Sequence, residues 1–210
     1  MGYLNDLIDA HVVDYGIIDY EQTYQAMQTF QQKRIATTPD EIWVVQHNPV
    51  FTLGRNGKQE HIINAGSIPV VMTDRGGQVT YHGPGQLVIY TLIDLKRNQL
   101  GVKQWVNHIE NSIIQLLNNY NIDARNNPKA PGVYVDNSKI AALGLRVSKG
   151  RCYHGLSVNV AMDLEPFQRI NPCGYKGLKV TQCQDLGVTA SLSEISQCLV
   201  GKISSLKNRQ

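Results

Sequence analysis

The apolar positions change period several times along the chain, and each change marks an element. Behind Asp19, with Gln22 three residues on, Tyr20, Tyr24 and Met27 recur at helical spacing as far as Lys33-Arg34, which predicts a capped first helix. Thr38-Pro39-Asp40 interrupts it. Ile42-Trp43-Val44-Val45-Gln46, dense in β-branched and aromatic residues, then predicts a strand that stops at His47-Asn48-Pro49. Residues 50–55 and 68–73 predict two shorter strands, with the polar segment 56–66 between them as loop, and the apolar run 87–95 predicts a central strand. Trp105, Ile109, Ile113, Leu116, Leu117 and Tyr120 share one face of a second helix, and both helices are expected on the same sheet.

Val133-Tyr134-Val135, 139–147 and 151–160 are separated by Asp136-Asn137-Ser138 and Ser148-Lys149-Gly150, connectors of the hairpin type, and read as an antiparallel meander. In the last of these, alternation places Cys152, His154, Leu156, Val158 and Val160 on one face and Tyr153, Gly155, Ser157 and Asn159 on the other. Gly155 leaves a gap where a ligand or a second backbone comes close. Ser191-x-x-Glu194 is a capping box ahead of Leu192, Ile195, Cys198, Leu199 and Leu206, so a last helix closes the chain. Strands with few helices between them predict an α+β fold with a mainly antiparallel sheet, not a doubly wound nucleotide fold. With 210 residues and no repeat, linker or low-complexity tract, residues 1–210 are expected to form a single domain.

The stretch Arg75-Gly76-Gly77-Gln78-Val79-Thr80-Tyr81-His82-Gly83-Pro84-Gly85-Gln86 stands apart from these patterns. Its glycines tolerate positive φ and let bare backbone approach a ligand, while a plainer reading makes Gly83-Pro84-Gly85 the turn of a β-hairpin. Cys173 is held between Pro172 and Gly174, neighbours that fix a tight loop and leave the sulfur uncrowded. Cys183, Cys198 and the strand residue Cys152 read as structural cysteines. Lys139 opens a run of small apolar residues, Ile140-Ala141-Ala142-Leu143-Gly144. Desolvation there would lower its pKa toward proton transfer, whereas the plainer reading is a surface lysine at a strand end. A zinc site built from His82, Cys152, His154 and Cys173 lacks the usual ligand spacing, so no metal is expected.

Charge narrows the partners. Twenty Lys and Arg against seventeen Asp and Glu, a net charge of +3, is too mild for a nucleic-acid binder and suits an acidic protein partner. The N-terminus shows neither a signal nor a transit pattern, and no apolar stretch reaches the ~20 residues of a membrane span, so no membrane association is expected. Four cysteines without a C-x-x-C pair point to a reducing compartment, and a cytoplasmic location is expected.

Four segments, Arg75 to Gln86, Lys139-Ile140-Ala141-Ala142-Leu143-Gly144, His154-Gly155-Leu156-Ser157-Val158-Asn159-Val160 and Asn171-Pro172-Cys173-Gly174, follow one another in an order and spacing that resemble the octanoyltransferase family of lipoate synthesis. The resemblance covers most of 70–180. It implies the fold of biotin and lipoate protein ligases, a mixed, mainly antiparallel sheet flanked by helices. It also implies transfer of octanoyl from octanoyl-acyl carrier protein, through a cysteine thioester and without cofactor or ATP. The implied acceptors are lysines of the lipoyl domains of 2-oxoacid dehydrogenases and of the glycine cleavage H protein.

Matched residue by residue, the resemblance makes Cys173 the nucleophile and Lys139 its partner. Substrate contacts are implied for Arg75, Gly76, Gly77, Gln78, Val79, Thr80, Tyr81, His82, Ala142, Leu143, Gly144, Gly155, Leu156 and Ser157, with His154 lining the same pocket. Thr91 stands where the family commonly has proline, and Ser157 where alanine is common; both touch pocket detail and strand shape. Two rivals remain: an ATP-dependent lipoate or biotin ligase, and a non-catalytic module that docks carrier or lipoyl domains. Pro172-Cys173-Gly174 has no role in adenylate chemistry, and the joint presence of Lys139 and Cys173 argues against a mere docking module.

Overall fold

A computed structural model of the chain describes residues 8–128 and 130–206. In order along the chain run β1 (Ala10–Ile18), α1 (Tyr20–Lys33), β2 (Asp40–His47), β3 (Val50–Leu53), β4 (Val70–Met72), β5 (Val79–His82), β6 (Gln86–Leu92), α2 (Val102–Asn118), β7 (Arg125–Asn126), β8 (Gly132–Val135), β9 (Ser138–Ser148), β10 (Arg151–Asn159) and α3 (Leu192–Ser204). A seven-stranded sheet has the order β1-β2-β6-β10-β9-β8-β7, and a three-stranded sheet the order β4-β3-β5. The β1–β2 and β3–β4 pairs are parallel and the remaining pairs antiparallel, so the fold is α+β with the mixed, mainly antiparallel sheet that the pattern predicts. Among the described residues no helix is long and apolar enough to cross a membrane.

The caps read from the sequence start their helices. The Asp19 carboxylate accepts from the Gln22 N–H at 3.1 Å, and the Glu194 carboxylate accepts from the Ser191 N–H at 2.8 Å. Both long helices lie on the large sheet, but on opposite faces. Trp105, Ile109 and Ile113 of α2 join Ile195, Leu199 and Ile203 of α3 over Ile42, Val44, Leu87 and Ile89, whereas Met27 of α1 packs on Trp43, Val45, Val88 and Tyr90. The reason lies in β2 and β6, which are apolar at successive positions and therefore need cover on both sides.

Three departures from the sequence pattern bear on function. β1 was not expected. It is an edge strand whose Val12, Tyr15 and Ile17 stay exposed, so it carries no core periodicity, and its pairing with β2 runs through α1 as a parallel crossover. Gly83-Pro84-Gly85 is not a hairpin turn. β5 pairs with β3 and β6 with β2 and β10, so these three residues carry the chain from the small sheet to the large one. Gly85 holds a φ of +83°, where a Cβ would run into the Ala161 carbonyl.

The third departure is His154. It has a left-handed φ of 58°, which breaks the alternation and turns the imidazole away from Cys152 and Leu156 to lie beside Tyr153 and Tyr24. Next to it, Gly155 lies so close to β6 that a Cβ would run into the Ile89 carbonyl, the close backbone approach that a strand glycine signals.

Candidate active site

Asn171 is anchored by its N–H to the His61 carbonyl at 2.7 Å, and Pro172–Gly174 then form a single 3-10 turn. Inside that turn Cys173 takes φ 57° and ψ 15°, a left-handed conformation that costs a non-glycine residue on the order of 1 kcal/mol. The turn leaves the sulfur half-buried.

Lys139 approaches from β9. Its backbone is clamped by the return segment, its N–H donating to Lys179 O at 2.8 Å and its carbonyl accepting from Thr181 N at 3.0 Å. Its ammonium donates to Cys173 Sγ at 3.0 Å and to Pro131 O at 3.0 Å, and lies 5.1 Å from the centre of the Tyr134 ring. The side chain is 4% exposed, so it is not a surface lysine. Gly132 has a φ of +138°, and a Cβ there would run into the Ala141 carbonyl at 2.6 Å and also crowd Lys139, at 3.0 Å from Cε and 3.2 Å from Nζ. Burial pulls the ammonium toward lower pKa, but the Cys173 sulfur and then the Tyr134 hydroxyl pull it up further, so Lys139 ends above the ordinary lysine value. The expectation of a lowered lysine pKa is overturned, because the desolvated cation has a sulfur that can carry negative charge at contact distance.

From Cys173 a cleft runs between the two sheets. Of the residues expected to touch substrate, Arg75, Gly77, Gln78, Val79, Thr80, His82, Ala142, Leu143, Gly144, Gly155, Leu156 and Ser157 line it, together with His154. Gly76 and Tyr81 stand outside. Gly76 donates its N–H to Leu145 O at 3.0 Å, and Tyr81 packs against Phe51 and Phe167 in the core of the small sheet. Over 155–157 β10 is paired on both sides, so its backbone donors are committed to the sheet. β9 loses its β8 neighbour beyond Ala142, which opens its edge toward the cleft. Tyr20, Val88 and Tyr90 complete the buried floor. Along the chain Tyr20 reads only as part of a helical spacing and Val88 and Tyr90 as part of an apolar strand, since a buried position over a cleft and one over a packed neighbour look the same.

Arg75 braces the glycine loop. Its guanidinium donates to Thr52 O at 2.6 Å, Gln78 O at 2.8 Å and Gly76 O at 2.9 Å, as well as to Thr52 Oγ1. These partners are neutral, and burial pulls Arg75 below the usual guanidinium value. His154 Nε2 pairs with Asp74 Oδ1 at 2.7 Å, and the Tyr153 hydroxyl donates to the same carboxylate. Cys152 and Cys183 are poor nucleophiles: burial pushes Cys152 up to about 12 and Cys183 up to about 11, and Cys152 faces the α2 side of the sheet.

A family profile described as "Lipoyl protein ligase A/B catalytic domain" matches residues 19–204. A protein named "Octanoyltransferase" from Shewanella sp. (strain ANA-3) is 54% identical over 200 residues, covering 95% of this chain and 92% of its own length. The chain belongs to the lipoyl protein ligase A/B family, among its octanoyltransferases. It is an acyltransferase. The fold agrees with solved structures of low identity. A lipoate-protein ligase A bound with ATP superposes with a TM-score of 0.73 at 14% identity, over 93% of this chain and 84% of that one. The biotin protein ligase of Aquifex aeolicus does so with a TM-score of 0.56 at 12% identity, over 93% and 68%.

Two neutral histidines lie at the buried end of the cleft, His82 in its lining and His47 behind Tyr90. His82 stacks on Tyr20 and its Nδ1 pairs with Gln86 Oε1 at 2.7 Å, while His47 Nε2 pairs with the Tyr90 hydroxyl at 2.6 Å. Burial lowers His82 to about 3 and His47 to about 4 from an ordinary 6.5. As pH falls the unfolded chain therefore takes up protons first. The contribution to stability is complete above about 6.5 and drains away toward 3 to 4. At pH 5 each histidine should cost on the order of 2 kcal/mol. Thermal melts should show Tm falling between pH 7.5 and pH 5, with a smaller fall in His47→Gln and His82→Gln. An equal fall in both variants would show that these histidines are not held neutral.

Proposed function

We propose that the enzyme transfers octanoyl from octanoyl-acyl carrier protein to a lysine of lipoyl domains, through a thioester on Cys173. The observation that carries this reading is the 3.0 Å contact of the Lys139 ammonium with Cys173 Sγ at the edge of the cleft. An ammonium at that distance is placed to pair with the sulfur when it attacks as a thiolate.

The proton traffic follows from this geometry. Sγ attacks the carbonyl of the donor thioester, the carrier sulfur leaves, and that sulfur takes a proton from Lys139. The carrier departs as a thiol, Cys173 holds the octanoyl group, and Lys139 is left neutral. The change of partner favours this: an acylated sulfur no longer carries the charge that raised the lysine, whereas burial, which lowers it, remains. The acceptor amine, having lost one proton to solvent, attacks the thioester and gives its second proton to Lys139. Amide forms, the Cys173 thiolate leaves, and the starting pair is restored. Acceptors in the 2-oxoacid dehydrogenases and the glycine cleavage H protein fit this reading, as does action in the cytoplasm.

The donor is already a thioester, so the reaction needs no ATP. Mixing the protein with octanoyl-carrier protein in the absence of ATP should add one octanoyl group to its intact mass. The group should map to Cys173 and be released by hydroxylamine. Octanoyl on a different cysteine, or transfer only from free octanoate with ATP, would overturn the assignment.

A further inference from the structure

Glu110 sits in the middle of α2, in the buried row that otherwise holds Trp105, Ile109 and Ile113, and is 4% exposed. A carboxylate in that row is costly to desolvate. Among the described residues its partners are neutral: Oε1 accepts from the Gly132 N–H at 2.8 Å, and Oε2 from the Asn126 side chain at 3.0 Å. The Gly132 N–H belongs to the same peptide group as Pro131 O, which accepts from Lys139 Nζ at 3.0 Å. A peptide group is planar and stiff, so a fixed acceptor on its N–H edge dictates where its oxygen points on the other. Hydrogen bonds in series also polarise one another, so a carboxylate behind the peptide strengthens the carbonyl in front of it.

We infer that Glu110 is a positioning residue for Lys139, acting through the 131–132 peptide to hold the ammonium against Cys173 Sγ. The chain of contacts runs from the α2 carboxylate to the peptide, from the peptide to the ammonium, and from the ammonium to the sulfur. α2 is a suitable anchor, because Ile109 and Ile113 on either side of Glu110 are fully buried in the main core. Gly132 lies on the Lys139 side of the same peptide, where a Cβ would press on the Ala141 carbonyl and on the Lys139 side chain. The inference rests on the reading of Lys139 and Cys173 as the reacting pair.

The test follows iodoacetamide labelling of the Cys173 peptide as a function of pH, at a temperature where circular dichroism shows each variant folded. Glu110→Met, which keeps the bulk and loses both acceptors, should slow labelling at pH 7 about tenfold and shift its profile to higher pH. Glu110→Gln still offers an oxygen to the Gly132 N–H and should stay within about threefold of wild type. In a Lys139→Met background, Glu110→Met should have no further effect, as for residues acting through one another.

Wild-type labelling by Glu110→Met, or an undiminished Glu110 effect in the Lys139→Met background, would overturn the positioning role. Should Glu110→Met not fold, Glu110→Asp, which draws the acceptor back by one methylene, carries the same comparison with the same outcomes. Failure of the underlying reading has a different signature: Lys139→Met alone would label at the wild-type rate.

Discussion

Cys173→Ala should lose the octanoyl adduct altogether and lower transfer by roughly 10⁴-fold or more, the usual scale for removing a nucleophile. The expectation is specific to this sulfur. Cys173 alone among the cysteines of the described residues is in hydrogen-bonding contact with an ammonium, and its turn presents it at the rim of the cleft. Cys183→Ala and Cys198→Ala should keep full activity. Cys152→Ala should keep activity too while lowering Tm, because its side chain is part of the main core. Intact-mass analysis and timed transfer to a lipoyl domain read both quantities. Retained transfer in Cys173→Ala would leave direct attack by the acceptor on the donor thioester as the mechanism.

Lys139 has two tasks in the proposed cycle, and two substitutions separate them. Lys139→Arg keeps a positive charge but cannot release a proton at working pH, whereas Lys139→Met keeps neither property. The Arg variant should therefore react with iodoacetamide and still accept octanoyl from the carrier, whose sulfur can leave as a thiolate and take its proton from solvent, and should then stall, because a guanidinium cannot take up the acceptor's proton. Its second half-reaction should be slower by about 10²- to 10⁴-fold, the range for loss of a general base. The Met variant should be slow in both halves, since its sulfur has no cation beside it. Rapid-quench measurement of each half-reaction distinguishes the cases. Complete turnover by Lys139→Arg would remove the base role, and unchanged alkylation of Lys139→Met would remove the pairing with Cys173.

What the chain states locally, it states clearly. Asp19 and Ser191 each hold their caps with groups three residues away, and the apolar stripe of α2 follows from helical geometry alone, so these elements are legible without the rest of the molecule. The motifs from Arg75 to Gln86 and around Lys139 and Cys173 are equally legible, because their residue types and order are themselves the signal. The boundaries of β8, β9 and β10 fall close to the polar connectors that separate them.

Tertiary structure decided what depends on partners distant in sequence. Lys139 and Cys173 are 34 positions apart and meet only because the segment 179–181 closes over β9 and the 172–174 turn faces it. β1 has no apolar rhythm because it needs none: as an edge strand it is held by backbone pairing to β2. Gly83-Pro84-Gly85 looks like a turn, yet whether a corner joins two strands of one sheet or passes between sheets is set by what each strand pairs with. The left-handed φ of His154 is likewise invisible in an alternating string of residue types. The lysine pKa shows the same limit most plainly. Sequence told that Lys139 enters apolar surroundings, which lowers a pKa, but its direction was settled by one sulfur at 3.0 Å, and Coulomb energy depends on distance through space.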